Sequence, residues 1–227
     1  MVGEEVRSLK VALFDFDGTL CPGDSIVPYL RFCIHEGIAP RSQWLQALAG
    51  YMNQKIHPEA VSAAKARSLS FIHGKSKAEM VKLAERFFRE CLQPRFYTEG
   101  DRTLKKLRDE GIKTIVLSAS ASVYMDVLPK FLPVDVVLST PCELDQNGIY
   151  TGAVGPNCRD KEKIDRLHAW ANSDEIKVVY AYGDSTHDVP MLSLAQHPVW
   201  VNPSRKVLNL LQAETVNWKG GTSGARD

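Results

Sequence analysis

The chain has 227 residues, 44% of them hydrophobic and 24% charged, which suits one compact domain or a domain carrying an inserted subdomain. Its 28 lysines and arginines against 27 aspartates and glutamates leave a formal charge of +1, so no strong field is available for nucleic acid or an anionic membrane surface. Five scattered cysteines with no C-x-x-C pair argue against a disulfide framework or structural zinc. No apolar run of about 18 residues offers a membrane span, so the chain reads as a cytoplasmic protein.

Taken in order, residues 10–17 (KVALFDFD) form an apolar run ending in carboxylates and a Gly-Thr turn, the pattern of a buried parallel strand. Residues 21–97 contain helical patterns and no convincing strand. The helix opening at Ser76 has capping-box spacing to Glu79, and Phe32, Trp44, Phe71, Phe87 and Phe88 read as helix-core residues. A helix follows in DRTLKKLRDEGI, where Leu104 and Leu107 share a face and Gly111 stands at the C′ position. Further strands are expected at 113–120, 134–140 and 176–184, with a weaker one at 198–202. Asn147-Gly148 predicts a hairpin with a type I′ turn. Alternation of strand and helix gives an α/β fold with a Rossmann-like parallel sheet. Residues 1–20 and 98–218 form its core, 21–97 a helical insertion and 219–227 a mobile tail.

In an open parallel sheet ligands bind beyond the carboxyl ends of the strands, so the residues at those ends converge. They are Asp15, Asp17, Gly18 and Thr19; then Ser118; then Asp184, Ser185 and Asp188. Several acids around one hydroxyl repel one another and call for a cation. All-oxygen donors with few carboxylates suit Mg²⁺ beside a substrate phosphate. One carboxylate of the Asp15/Asp17 pair can attack phosphorus while the other moves protons. Asp188 can alternatively cap the helix that begins at Val189.

Asp15-Phe16-Asp17-Gly18-Thr19-Leu20, Ser118 after an apolar strand, a lysine within 161–163 and Gly183-Asp184-Ser185-x-x-Asp188 resemble the four ordered motifs of the haloacid dehalogenase superfamily. The likeness spans roughly residues 10–202. The helical insertion, VLSAS, the DQNGIYTG hairpin, Asn157-Cys158 and Asp188-Val189-Pro190-Met191-Leu192 are similar to its phosphoserine-phosphatase-like branch. The resemblance implies a C1-type cap and a Mg²⁺-dependent phosphatase acting on a small phosphorylated metabolite, with no nucleic-acid or membrane partner. It makes Asp15 the nucleophile and Asp17 the general acid/base. Mg²⁺ would lie on Asp15, the backbone carbonyl of Asp17 and Asp184, with Asp188 in support.

Phosphate would meet Ser118 and the motif lysine, with backbone N–H groups of Gly18 and Thr19 available to line its nest. Lys163-Ile164-x-x-Leu167 fits the family spacing, which leaves Lys161 as a solvated residue. Asp24, Ser25 and Arg31, at the entry to the helical insertion, are candidate substrate contacts. His187 reads as a solvated loop residue, and Cys21 and Cys158 as packing thiols. A phosphotransferase or mutase, or a non-catalytic metal-binding module, are the alternative functions. The fourth motif position holds Gly18 where phosphoserine phosphatases usually carry serine, so phosphoserine itself is an open choice.

Overall fold

A computed structural model describes residues 8–43, 61–172 and 175–220. Its main sheet is parallel and contains β1 (Leu9–Phe14), β2 (Lys113–Ala121), β3 (Val136–Thr140), β6 (Ile176–Gly183), β7 (His197–Val201) and β8 (Glu214–Val216). These strands lie in the order β3-β2-β1-β6-β7-β8. The chain therefore winds outward one way from β1 and the other way from β6. The pair at the centre, which runs from Leu9↔Ile176 to Phe14↔Tyr182 with one extra β6 residue, Val179, bulged between the partners of Val11 and Ala12, is the switch point where such sheets open a ligand crevice.

Alternation with period two distributes β1 between two apolar layers. Ala12 and Phe14 join one cluster with Val116, while Val11 and Leu13 join the other with Ile115 and Leu117. The first cluster continues without a break into the helical segment through Tyr29, Phe32, Phe87, Phe88 and Tyr124. Tyr29 lies 4.4 Å from Tyr124 and 5.1 Å from Phe87 between ring centroids. Phe71 is packed against this core, and Trp44 lies outside the described residues.

The described helices are α1 (Ile26–His35), α2 (Val61–Ser68), α3 (Lys77–Phe87), α4 (Thr98–Asp109), α5 (Ser122–Met125), α6 (Lys161–Ala171) and α7 (Val189–Leu192). Ser76 and Glu79 close the expected capping box on α3, and Gly111 at φ +72° ends α4 with Ile112 N–H donating to Leu107. No described helix is long and apolar enough to cross a membrane. All five cysteines are unpaired.

Several sequence expectations are corrected. β4 (Cys142–Leu144) and β5 (Tyr150–Val154) do form the hairpin, but Gly148 alone has positive φ in its turn. Gly148 N–H donates to Asp145 O, and the Asp145 carboxylate accepts from the N–H groups of Asn147 and Ile149. This Asx-type turn replaces the type I′ geometry, because Asp145 supplies acceptors that the two-residue turn lacks. β8 has no counterpart in the sequence reading. In the tail, Lys219 N–H donates to Glu99 and Gly220 bridges Tyr97, so these two residues are anchored; residues 221–227 lie outside the description.

Candidate active site

β1 ends at Phe14, and the next residues leave the strand directly over the switch point. Asp15 N–H still donates to Tyr182 O on β6, which fixes the Asp15 backbone, while the residue as a whole is 8% exposed. From the start of α6, Lys163 reaches in with its ammonium 2.6 Å from Asp15 Oδ1 and 2.6 Å from Asp188 Oδ1. Lys163 is 2% exposed, whereas the Lys161 side chain is 87% exposed and faces Asp165. Burial opposes the Lys163 charge, but the two carboxylates outweigh it and raise the ammonium's pKa well above its ordinary value.

The last motif is folded around Asp188. Its Oδ2 accepts from the N–H groups of Asp184 and Ser185 and from the Ser185 hydroxyl, and its Oδ1 takes Lys163. It does not cap α7 with its side chain, since those oxygens already tie the 184–188 loop. Two glycines make room for this arrangement. A Cβ on Gly183 would sit 2.5 Å from Asp188 Cβ, and one on Gly18, at φ +87°, would sit 2.2 Å from Asp184 Oδ2. Gly18 therefore stands where it does because the Asp184 carboxylate packs on its bare Cα.

Asp15, Asp184 and Asp188 each place a carboxylate oxygen within 4.8 Å of the others. Asp184 Oδ1 is buried without a hydrogen-bond partner. Burial first, then the charge of Asp188, pushes the Asp184 carboxyl up to about 7. Burial also raises Asp15, aided by Asp188 and Asp184 and opposed by Lys163. Three acids facing one lysine retain a proton until a further positive charge displaces it.

Asp17 belongs to a second network. Its Oδ1 accepts the Ser25 N–H at 2.9 Å, and its Oδ2 accepts the hydroxyls of Ser25 at 3.1 Å and Ser120 at 2.5 Å. The Ser25 oxygen also accepts from the Tyr124 hydroxyl at 3.1 Å and lies 2.9 Å from Ser120 Oγ, which completes the support. Burial and then the Asp24 charge push the Asp17 carboxyl up to about 7, against the hydrogen bonds that favour its ionised form. Asp15 and Asp17, side by side, thus present a lysine-paired carboxylate and a carboxyl poised to hold a proton.

Both line one cavity of about 740 Å³ together with Gly18, Asp24, Ser118, Lys163, Asp184 and Asp188. Two expected contacts are not brought to it. Thr19 is fully buried beneath the turn, and Arg31 lines a separate shallow groove with Pro28, Phe32, His35 and Cys91. The expected phosphate nest is also spent, because Gly18 N–H donates to Cys21 O and Thr19 N–H to Phe16 O inside that turn. His187 is not merely solvated: it lines the cavity, with Nδ1 2.8 Å from Asp160 and Nε2 against Arg159. Burial drives the Cys21 thiol up to about 12 and the Cys158 thiol up to about 11, which removes both as nucleophiles near neutrality.

Lys65 on α2 is a cavity residue that the sequence reading missed. Its ammonium donates to Ala119 O, Asn157 Oδ1 and, at 3.4 Å, Thr140 Oγ1. Burial lowers it to about 8. The bond to Ala119 ties the helical segment to the strand end between Ser118 and Ser120. A lysine in an Ala/Ser-rich helix carries no pattern that foretells this contact. Ser25, expected as a substrate contact, instead holds Asp17, and Ser120, near the end of β2, joins it there.

A family model described as haloacid dehalogenase-like hydrolase matches residues 12–193. The phosphoserine phosphatase SerB1 of Mycobacterium tuberculosis (strain ATCC 25618 / H37Rv) is 30% identical over 212 residues, covering 88% of this chain and 67% of that one. The histidinol-phosphatase of Neisseria meningitidis serogroup C (strain 8013) is 23% identical over 210 residues, covering 87% and 92%. Among solved structures, a protein with unknown function from Bordetella pertussis Tohama I has the same fold, with a TM-score of 0.80 at 23% identity over 92% of this chain and 98% of that one.

Proposed function

The chain belongs to the haloacid dehalogenase-like hydrolases and is a phosphatase, and from that premise we propose that it hydrolyses a small phosphate monoester through an aspartyl-phosphate on Asp15. The observation that carries the reading is the pairing of two unlike carboxyls at the switch point. Asp15 is held by Lys163, and Asp17 is held by hydroxyls and raised toward neutrality. Retention of Asp17 as a second acid suits phosphorus chemistry rather than attack on carbon.

Mg²⁺ fits the residues present. The orphaned Asp184 Oδ1 and the three clustered carboxylates form an all-oxygen donor set with surplus negative charge. Asp15, Asp184 and the backbone carbonyl of Asp17 would hold it, with Asp188 fixing the loop. Bound there, it would neutralise phosphoryl oxygens. The Asp15 carboxylate attacks phosphorus, and Lys163 offsets the charge gathered on the transferred group. The Asp17 carboxyl donates its proton to the departing oxygen, then as carboxylate takes one from the water that cleaves the phospho-Asp15 bond. Ser118, 1% exposed and lining the cavity, offers its hydroxyl to a phosphoryl oxygen. Residues 21–97 act as the cap that shields this centre from bulk water, with Lys65 joining cap to core.

Phosphate release across a panel of esters with Mg²⁺ tests the reading; no release from any ester contradicts it. A pH profile tests the assignment of roles. Asp184 gains the charge that holds the cation as pH rises through about 7, while Asp17 loses its proton over the same range. Wild-type kcat/KM at saturating Mg²⁺ is therefore expected to fall on the alkaline side as Asp17 loses its proton, while the Mg²⁺ needed for half-activation rises as pH drops below about 7, where a proton on Asp184 competes with the cation. Asp17→Asn should lack the alkaline limb and accumulate phosphoenzyme. Because both carboxyls titrate above their ordinary value of 3.8, the folded chain binds more protons than the unfolded chain between about pH 4 and 7. The cation-free protein should lose stability as pH rises through that window, measured by thermal melts.

Gly18→Ala probes the cation platform. The substitution strains a positive-φ position, costing about 1–2 kcal/mol, and drives a methyl into Asp184. A displacement of the order of an ångström predicts a fall in kcat of about 100-fold and weaker Mg²⁺ activation, with the fold kept by circular dichroism. Unchanged Mg²⁺ dependence would contradict the placement of Asp184.

A further inference from the structure

The cavity has walls of two kinds. Its floor is the acidic and lysine-bearing centre already described, while its far side is formed by Ile26, Val27 and Leu30 of α1 with Ala64 and Leu69 from α2 and the residue after it. Val27 exposes 42% of its surface, one of the few large apolar residues to do so among the described residues. Lys65 and Arg159 make contacts within the protein, and Asp24, at the exposed rim, has one carboxylate oxygen engaged. Lys65 has three oxygen acceptors for its three protons, Asp24 Oδ1 accepts the Ile26 N–H at 2.8 Å, and Arg159 lies against His187 and Asp160. Among the described residues, what remains on that side for a leaving group to meet is chiefly the aliphatic surface of Ile26 and Val27, since the Ser68 hydroxyl donates to Ala64 O. The volume, about 740 Å³, is in the range of sites that bury a ligand much larger than a phosphorylated three-carbon amino acid.

We propose that the leaving alcohol carries an apolar body, alkyl or aryl, which lies along the α1 wall while its phosphoryl group sits at Asp15. This rests on the phosphatase reading of the same site and narrows its substrate class. Each methylene moved from water onto that wall is worth about fourfold in kcat/KM.

The test is a series of n-alkyl phosphates from ethyl to octyl, a parallel series of phenyl-alkyl phosphates, and phosphoserine, assayed with the full chain and Mg²⁺. A rise of about fourfold per carbon over several carbons in either series supports the proposal, and the series that rises tells chain from ring. Val27→Ser should flatten the rise, whereas Leu210→Ser, on a remote surface with 51% exposure, should leave it intact. Flat profiles in both series, a Val27→Ser profile as steep as wild type, or a kcat/KM for phosphoserine above every apolar ester would overturn it. Affinity of the matching alkylphosphonates by calorimetry follows the same slope without turnover. Phosphonates that tighten with chain length beside an enzyme that cleaves nothing would contradict the phosphatase reading, and with it the leaving-group assignment, while locating an apolar ligand on the α1 wall; phosphonates that do not tighten beside an active enzyme would overturn this proposal alone.

Discussion

Asp15→Asn is expected to lower turnover by at least about four orders of magnitude and to leave no phosphoenzyme, while Mg²⁺-free folding changes little. The amide keeps the shape of the side chain and can still accept from Lys163, so the buried ammonium is not stranded. What is lost is the nucleophile. An amide nitrogen or oxygen cannot form the acyl phosphate, and no other group on the cavity floor replaces it. The neighbouring thiols are held in their protonated forms by burial, and Asp17 is fastened to Ser25 and Ser120. Steady-state assays alone could misread a misfolded variant, so a melting curve belongs beside them. Substantial activity in a well-folded Asp15→Asn protein would end the nucleophile assignment.

Lys163→Met should combine a loss of stability with a loss of activity. The ammonium is the cation within hydrogen-bond reach of both Asp15 and Asp188, each at 2.6 Å, and all three side chains are buried. Removing it leaves two carboxylates facing each other without their common partner. Breaking such a buried network costs about 3–5 kcal/mol. The sign with pH is fixed by the groups that remain. Lys163 is what holds the Asp188 carboxyl below its ordinary value, so in the variant that carboxyl rises and binds protons more readily in the folded state. The Lys163→Met protein should therefore regain part of its stability as pH falls from about 7 toward 5. Mg²⁺ should restore stability more than activity, because the ion offsets the like charges but leaves the transferred phosphoryl group without its lysine. A variant as stable as wild type at pH 8 would show that the three side chains are not coupled.

The parts of the fold that were legible in the sequence are those where one local pattern meets one physical demand. Val11 to Phe14 must be apolar on both faces because helices or apolar layers cover a parallel sheet on each side, and the run stops where charge is wanted. Lys163 is separable from Lys161 by its resemblance to the family spacing Lys163-Ile164-x-x-Leu167, and in the structure the i, i+4 relation to Leu167 puts it on the inner face of α6. Legibility fails where the contact is made between distant segments. Lys65 gains meaning only from Ala119 and Asn157, and β8 is three residues long and recognisable only by its pairing with β7. Gly18 was read as a possible phosphate contact, but its N–H is turned to Cys21 and its bare Cα serves Asp184, a neighbour 166 positions away. Arg31 was placed by proximity in sequence, yet the rotation of α1 sends it to an outer groove while Val27 and Leu30 face the cavity.

Turnover through Asp15 requires that phosphorus become bonded to that one carboxylate. Peptide mapping by mass spectrometry of Asp17→Asn, quenched in acid during incubation with Mg²⁺ and an ester the wild type cleaves, addresses it directly. The expected result is one phosphoryl group on the peptide that contains Asp15, lost when Asp15 is also replaced. An unmodified Asp15 peptide, with phosphate found on another residue or on none while the wild type turns over the same ester, would contradict the account.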